Sequence, residues 1–429
     1  MRKNIFIFLI MFFSISMPAR AQQEHMDHES MQSMPDEHQG MKMDVKALYG
    51  PYPMTREASG TSWQPDSTPH EGLHFMKNDW MFMAHGFANV IYDHQGGDRG
   101  DDKTFSESMF MVMGQRPLGN GTLGVRSMVS LDPLMGKDGY PLLLQTGETY
   151  DGMNGLIDRQ HPHDLFMELA LTYSRPISEE SSIFGYIALP GEPALGPPAF
   201  MHRFSGMDNP EAPISHHWLD STHITYGVTT LGYVWKNLKL EGSAFRGREP
   251  DEDRWDIESP ELDSYSTRFS YNPTSSWSFQ VSYGDIDSPE QLHPDVDTER
   301  YTASAAYNKP FKNGNWQTML AWGRNNNDPG NSLDAFLIES ALHFKKTHTL
   351  FTRFERTEKD ELFSEGDPLG GEIFNVNKSS VGYVYDFPEW KQLQWGVGGT
   401  YSWHFLPDKL DAAYGEMPAS YMIFARVKL

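Results

Sequence analysis

Residues 264–284 read SYSTRFSYNPTSSWSFQVSYG. Tyr265, Thr267, Phe269 and Tyr271 are mostly large and apolar, and Ser264, Ser266, Arg268 and Ser270 between them are small or polar. Beyond Asn272-Pro273-Thr274 the alternation resumes. Trp277, Phe279, Val281 and Tyr283 are set against Ser276, Ser278, Gln280, Ser282 and Gly284. A period of two is that of a β-strand, whose successive side chains point to opposite faces. Asn-Pro-Thr-Ser supplies turn chemistry between the two runs. The stretch reads as a hairpin with one oily face and one wet face.

A soluble sandwich has the same alternation. Two features point to a membrane instead: the apolar face is aromatic near its ends, and the pattern recurs along the chain. Bilayer hydrocarbon admits only helices or closed barrels, because every backbone polar group needs an internal partner. A transmembrane strand needs about 9–11 residues with aromatic girdles at both interfaces. The spacing predicts about 16 strands: 79–92, 105–116, 121–131, 163–174, 182–190, 222–235, 237–248, 263–272, 275–285, 299–308, 314–325, 333–345, 347–357, 375–386, 391–404 and 418–429. The links between them are alternately short (117–120, 175–181, 236, 272–274, 309–313, 346 and 387–390) and long (93–104, 132–162, 191–221, 249–262, 286–298, 326–332, 358–374 and 405–417). Short periplasmic turns and long extracellular loops are the rule for outer-membrane barrels. An even strand count puts both termini in the periplasm. The last segment, SYMIFARVKL, sets Tyr421, Ile423, Ala425, Val427 and Leu429 on one face, as a closing strand requires. The fold class expected is all-β: a transmembrane antiparallel β-barrel over residues 73–429, in the outer membrane of a Gram-negative bacterium.

The chain has 429 residues, a net charge of −23 and no cysteine. Lack of cysteine excludes a disulfide scaffold and lipoprotein anchoring, and leaves His, Met and carboxylates as metal ligands. The acidity argues against a nucleic-acid partner and suits a protein that meets cations. Residues 1–21 read as a signal peptide: Arg2 and Lys3, an apolar run from Ile5 to Met17, and the Ala19-Arg20-Ala21 site, with Gln22 opening the mature chain. No later segment has the roughly 20 apolar residues of a membrane helix. Residues 22–72 begin QQEHMDHESMQSMPDEHQGMKMD and have few core formers, so a disordered periplasmic tail is expected.

Three groups of residues carry metal-ligand chemistry. The tail offers His25, Met26, His28, Met31, Met34, His38, Met41 and Met43; its alternative is a neutral linker. In the first strands the parity that sends Trp80, Phe82, Phe110 and Val112 to lipid leaves Met81, Met83, His85, Met109, Met111, Met113 and Met128 facing inward. Met is long and flexible, and thioethers favour Cu(I) over hard cations and carry no competing proton. The 117–120 turn sets Met109 opposite Met128. Apolar packing is the alternative for this wall. The long loops add His161 and His163, then His202, His216 and His217, with Met201 and Met207 beside them and His223 at the next strand. Imidazole suits copper and zinc, though the same residues also serve loop packing. Asp164, Glu168, Glu339, His343, Arg353 and Glu355 have lumen parity, and mutual ion pairs are expected of them. No nucleophile with a positioned base is recognisable, so no enzymatic activity is expected.

The tail (EHMDHESMQSMPDEHQGMKM), the Met-bearing strands (WMFMAH and SMFMVM) and the layout resemble the bacterial copper-resistance protein B group. The chain also resembles the uncharacterised barrels of heavy-metal efflux systems, in which segments like HPHD and MDNPEAPISHHW occur. The resemblance implies copper sequestration or export at the outer membrane without a catalysed reaction, the tail residues and the Met wall being the ligands. The expected function is therefore binding or passage of a soft metal ion, copper first, in metal resistance. The expected partners are outer-membrane lipid, metal cations and periplasmic metal-handling proteins. The alternatives are a general porin-like channel or a structural barrel with no metal role, and an outer-membrane enzyme acting on lipid.

Overall fold

The computed structural model describes residues 47–364 and 366–429. The signal segment 1–21 and the tail ligands His25, Met26, His28, Met31, Met34, His38, Met41 and Met43 lie outside the described residues.

Sixteen strands close a barrel: β1 (Trp80–Gln95), β2 (Asp102–Leu118), β3 (Gly121–Val129), β4 (Phe166–Ser178), β5 (Ser181–Gly191), β6 (Thr225–Trp235), β7 (Leu238–Phe245), β8 (Ser264–Thr274), β9 (Trp277–Ile286), β10 (Asp297–Phe311), β11 (Gly314–Asp328), β12 (Ser332–Phe344), β13 (His348–Lys359), β14 (Phe374–Asp386), β15 (Gln394–Phe405) and β16 (Ala419–Lys428). Each pairs antiparallel with its sequence neighbour, and β16 returns to β1 from Ser420 opposite Gln95 to Lys428 opposite Phe87. The segment Leu73–Lys77 pairs with the start of β1, beside which β16 has ended. All sixteen predicted spans contain strands, and short and long links alternate except after β11, where the link expected to be long is only the three residues 329–331. The turn of the opening hairpin lies at 275–276, just beyond the expected 272–274. Tyr271 pairs with Phe279 and Thr274 with Trp277, so Asn272-Pro273 forms an irregularity and Ser275-Ser276 turns the chain. Proline lacks the ladder N–H, which makes that bulge its natural place.

The faces are inverted relative to a soluble protein. Val281 is 53 % exposed and Leu231 70 %, whereas Arg268 is 1 % exposed. An oily exterior around a polar, ion-paired interior is what a barrel in hydrocarbon requires. Five of the six lumen-parity charges pair, only Arg353 and Glu339 with each other, whereas Glu355 accepts from Ser215 instead. Arg126 meets Glu168 at 3.0 Å, Arg353 meets Glu339 at 3.6 Å, His343 meets Asp208 at 3.2 Å and Asp164 meets Arg254 at 3.2 Å.

Three segments expected to be tail or loop fill the interior. Residues 47–70 pack against the wall, with Leu48, Tyr49, Tyr52 and Trp63 buried beside Phe184 and Val234. Ser174 and Ser182 donate to the Leu48 and Tyr49 carbonyls at 2.6 Å, and Arg268 donates to Thr61 at 3.0 Å. The expected disorder of 22–72 therefore does not extend to 47–72. Aromatic residues and prolines at 49–63 give this part the core formers that the His/Met tract lacks. Inside the long loop after β3, Tyr140–Thr149 and Gly155–Gln160 form a separate hairpin whose Leu142, Leu143 and Leu144 are buried. The loop 192–224 crosses the lumen and bonds to strands around its circumference. Ala194 N–H donates to Ser243 on β7, Gly196 N–H to Ser282 on β9, Arg203 to Glu339 on β12 and Ser215 to Glu355 on β13. Lys378 on β14 pairs with Glu211, and Arg426 on β16 with Asp208.

Candidate metal centre

β1 and β2 lie side by side with Met83 opposite Met113, His85 opposite Met111 and Phe87 opposite Met109. On β3, Met128 lies opposite Met111. The expected partner was Met109. β2 runs on to Leu118 and β3 starts at Gly121, so the turn is two residues and the pairing slides by two. A slip of two keeps every side chain on its face and changes only its partner. The parity expected of this wall holds: Phe110 and Val112 are exposed, and Met83, Met109, Met111 and Met128 are buried.

Met83, His85, Met109, Met111 and Met113, but not Met128, border one cavity of about 120 Å³. Met83, Met109, Met111 and Met113 come from the wall, Met54 and His70 from the segment before the barrel, and Met201, His202 and Met207 from the lumen loop, with His85 on β1. Met81 pairs with Gln115 and Met76 and does not line the cavity. Three imidazole nitrogens meet three thioethers. His70 Nε2 is 2.8 Å from Met83 Sδ, His85 Nε2 is 3.2 Å from Met111 Sδ, and His202 Nε2 is 3.4 Å from Met128 Sδ. The His85 and His202 rings are 5.8 Å apart. Burial, and then the neighbouring His74, lowers the His70 pKa to about 4. Burial, and then His85, lowers that of His202 to about 3. Both imidazoles are neutral near pH 7, and a neutral ring keeps a lone pair for a metal. Packing is also served here: Met109, Met111, Met128 and Met201 join Phe105, Leu143, Phe200 and Phe424 in one apolar cluster.

Met54 and His70 escape sequence reading because both precede the first strand. The signal that reaches them is the aromatic and proline-rich run YGPYPMTREASGTSW at 49–63, which reads as folded chain rather than tail.

The loop histidines gather separately. His163 and His223 rings are 5.4 Å apart, His216 and His223 5.1 Å, His216 and His217 5.6 Å, and His161 and His217 6.2 Å. His161 Nε2 is engaged by Glu148 Oε1 at 3.0 Å. His161 and His163 are thus held by different partners, Glu148 and Asp132. His202 belongs to the Met cavity instead. Among the described residues, one trio of His and carboxylates has all its ligand atoms within 4.8 Å of one another: Glu290 and His293 in the link after β9 and Glu361 in the link after β13.

No protein-family model matches the chain, and no curated protein matches it. Solved structures do. The chain is similar to OmpF of Salmonella typhi in complex with daunomycin, at 10 % identity and a TM-score of 0.54, over 83 % of this chain and all of that one. It is also similar to an anion-selective porin from Comamonas acidovorans, at 8 % identity and a TM-score of 0.50, over 82 % of this chain and all of that one. At such identities the likeness is one of fold: the large antiparallel barrel of porins.

Proposed function

We propose that this is an outer-membrane barrel that binds a soft monovalent metal cation, copper(I), in the cavity between β1, β2 and the lumen loop. The observation that carries the reading is the three nitrogen–sulfur pairs. Two ligands on one tetrahedral ion, with bonds of about 2.0 Å to nitrogen and 2.3 Å to sulfur, stand about 3.5 Å apart. The observed separations of 2.8, 3.2 and 3.4 Å lie close to that. Packing alone would be met by leucine, which has no lone pair to set against an imidazole nitrogen. Soft thioether with borderline imidazole is a donor set for Cu(I) rather than for magnesium or calcium. The role is metal resistance or homeostasis, with the His/Met tail capturing the ion and periplasmic metal-handling proteins delivering it.

The porin reading draws on the barrel's likeness to porins. For a hydrated solute to pass, residues 47–70 and the loop 192–224 would have to move, since both are bonded to the wall on several sides. A soft ion needs less room, because it can exchange between neighbouring ligands.

The test is a copper(I) titration of the folded mature protein against a chelator of known affinity. Met83, Met109, Met111 and Met113 changed together to Leu should leave the barrel folded, since such swaps usually cost less than about 1.5 kcal/mol each. Loss of tight Cu(I) binding in that variant supports the reading. Unchanged binding refutes it, and sugar-permeable liposomes without metal binding would favour the porin.

A further inference from the structure

A second group of imidazoles lies beyond the thioether cavity and has a different donor chemistry. Each of three rings is held by its Nδ1: His163 by Asp132 Oδ2 at 2.9 Å, His216 by Asp220 Oδ1 at 2.9 Å, and His223 by the Asp220 carbonyl at 2.8 Å. A carboxylate or carbonyl on one ring nitrogen fixes the tautomer and aims the other nitrogen, which is how metal-binding histidines are oriented. The other nitrogens of His163 and His223 are buried and have no hydrogen-bond partner among the described residues. His223 itself is 5 % exposed. A buried unpartnered polar atom is costly and calls for a ligand.

The donor type gives the ligand class, imidazole suiting zinc, and two of the three ring separations fit it. A tetrahedral ion with metal–nitrogen bonds of about 2.0–2.1 Å holds two imidazole ring centres about 5.2 Å apart. His223 stands 5.4 Å from His163 and 5.1 Å from His216. Phe200 packs on all three rings and keeps that side apolar. No thioether is in the set. We infer that His163 and His223, with His216 as the third imidazole, form a separate site for one borderline divalent cation of the zinc class. In the empty site the ring nitrogens of these three histidines are not gathered within 4.8 Å of one another, so binding has to draw the rings together.

This site does not depend on the copper(I) reading. A cavity of about 10 Å³, bordered by His202 and Met128 as well as His223, lies between the two sites.

Cobalt(II) is the probe, because its visible absorption reports tetrahedral nitrogen ligation. The mature protein in detergent is expected to bind one cobalt ion that zinc displaces. H163Q/H223Q should lose that absorption while keeping copper(I) binding, and the four-Met-to-Leu variant should keep it. Should the His variant fail to fold, the wild-type cobalt X-ray absorption spectrum decides: imidazole scattering without sulfur is expected. Sulfur ligation, oxygen ligation alone, absence of bound cobalt, or absorption that survives in H163Q/H223Q each overturns the proposal.

Discussion

Arg203 joins the lumen loop to the barrel wall. Its Nε donates to Glu339 at 2.7 Å and its Nη1 to Asp220 at 2.5 Å, all three side chains being nearly fully buried. Removing one member of a buried ion network leaves charges without partners, which typically costs about 3–5 kcal/mol. Arg203→Ala should therefore unfold in markedly less heat or denaturant, read as the shift of barrel from folded to unfolded mobility on a gel. Arg324→Ala is the contrast: Arg324 pairs with Asp334 at 2.5 Å on an exposed face, and such pairs contribute about 0–1 kcal/mol. Glu290 gives a pH dependence. Burial, and then Glu361 beside it, raises its pKa well above 4.5. The folded state thus holds a proton that the unfolded chain releases. Stability from this group is full below the unfolded value and is lost as pH rises from about 4.5 toward the raised value. Glu290→Gln should remove that part of the decline in melting temperature with pH. The charges at Glu168, Glu339 and Arg353 were legible as lumen pairs from parity. The second partners of Glu339, Arg203 and Ser205, were not, because they come from a loop with no periodicity.

The element that changes the character of the lumen is the loop 192–224. Its backbone comes so close to β11 that a Cβ on Gly323 would meet the Trp218 carbonyl at 2.2 Å. Gly323→Val should displace the loop at that point and lower stability, measurable as faster proteolysis of the loop in the folded barrel. Replacing residues 193–223 by a short polar link should open the interior, and single-channel recording should then show a conductance well above that of the full chain. An equal conductance would mean that the loop does not obstruct the lumen. The strands were legible because alternation is a property of each segment alone. The inward segments were not, since their fold is set by contacts with strands far away in sequence. Register was legible as to face but not as to partner: the Met111–Met128 pairing turned on a two-residue difference in one turn.

At the scale of the molecule, the outer surface holds the barrel in lipid. Leu231 is among its most exposed apolar side chains. An arginine on the lipid face near the bilayer midplane costs about 2–4 kcal/mol, so Leu231→Arg should reduce the folded fraction recovered in vesicles, whereas a lumen-facing Gln280→Ser should not. Inside that surface the barrel gathers thioethers and imidazoles from β1, β2, the residues before the barrel and the lumen loop into one cavity. The strand contribution, Met83, His85, Met109, Met111 and Met113, was readable from parity; Met54 and His70 were readable only once 47–70 is seen to be folded. The most direct measurement is the copper K-edge X-ray absorption spectrum of the mature protein loaded with one equivalent of copper(I). The account predicts sulfur and imidazole nitrogen together around the ion, with the sulfur shell lost when the four wall methionines become leucine. A spectrum with no sulfur neighbours, or protein that retains no copper, would contradict it.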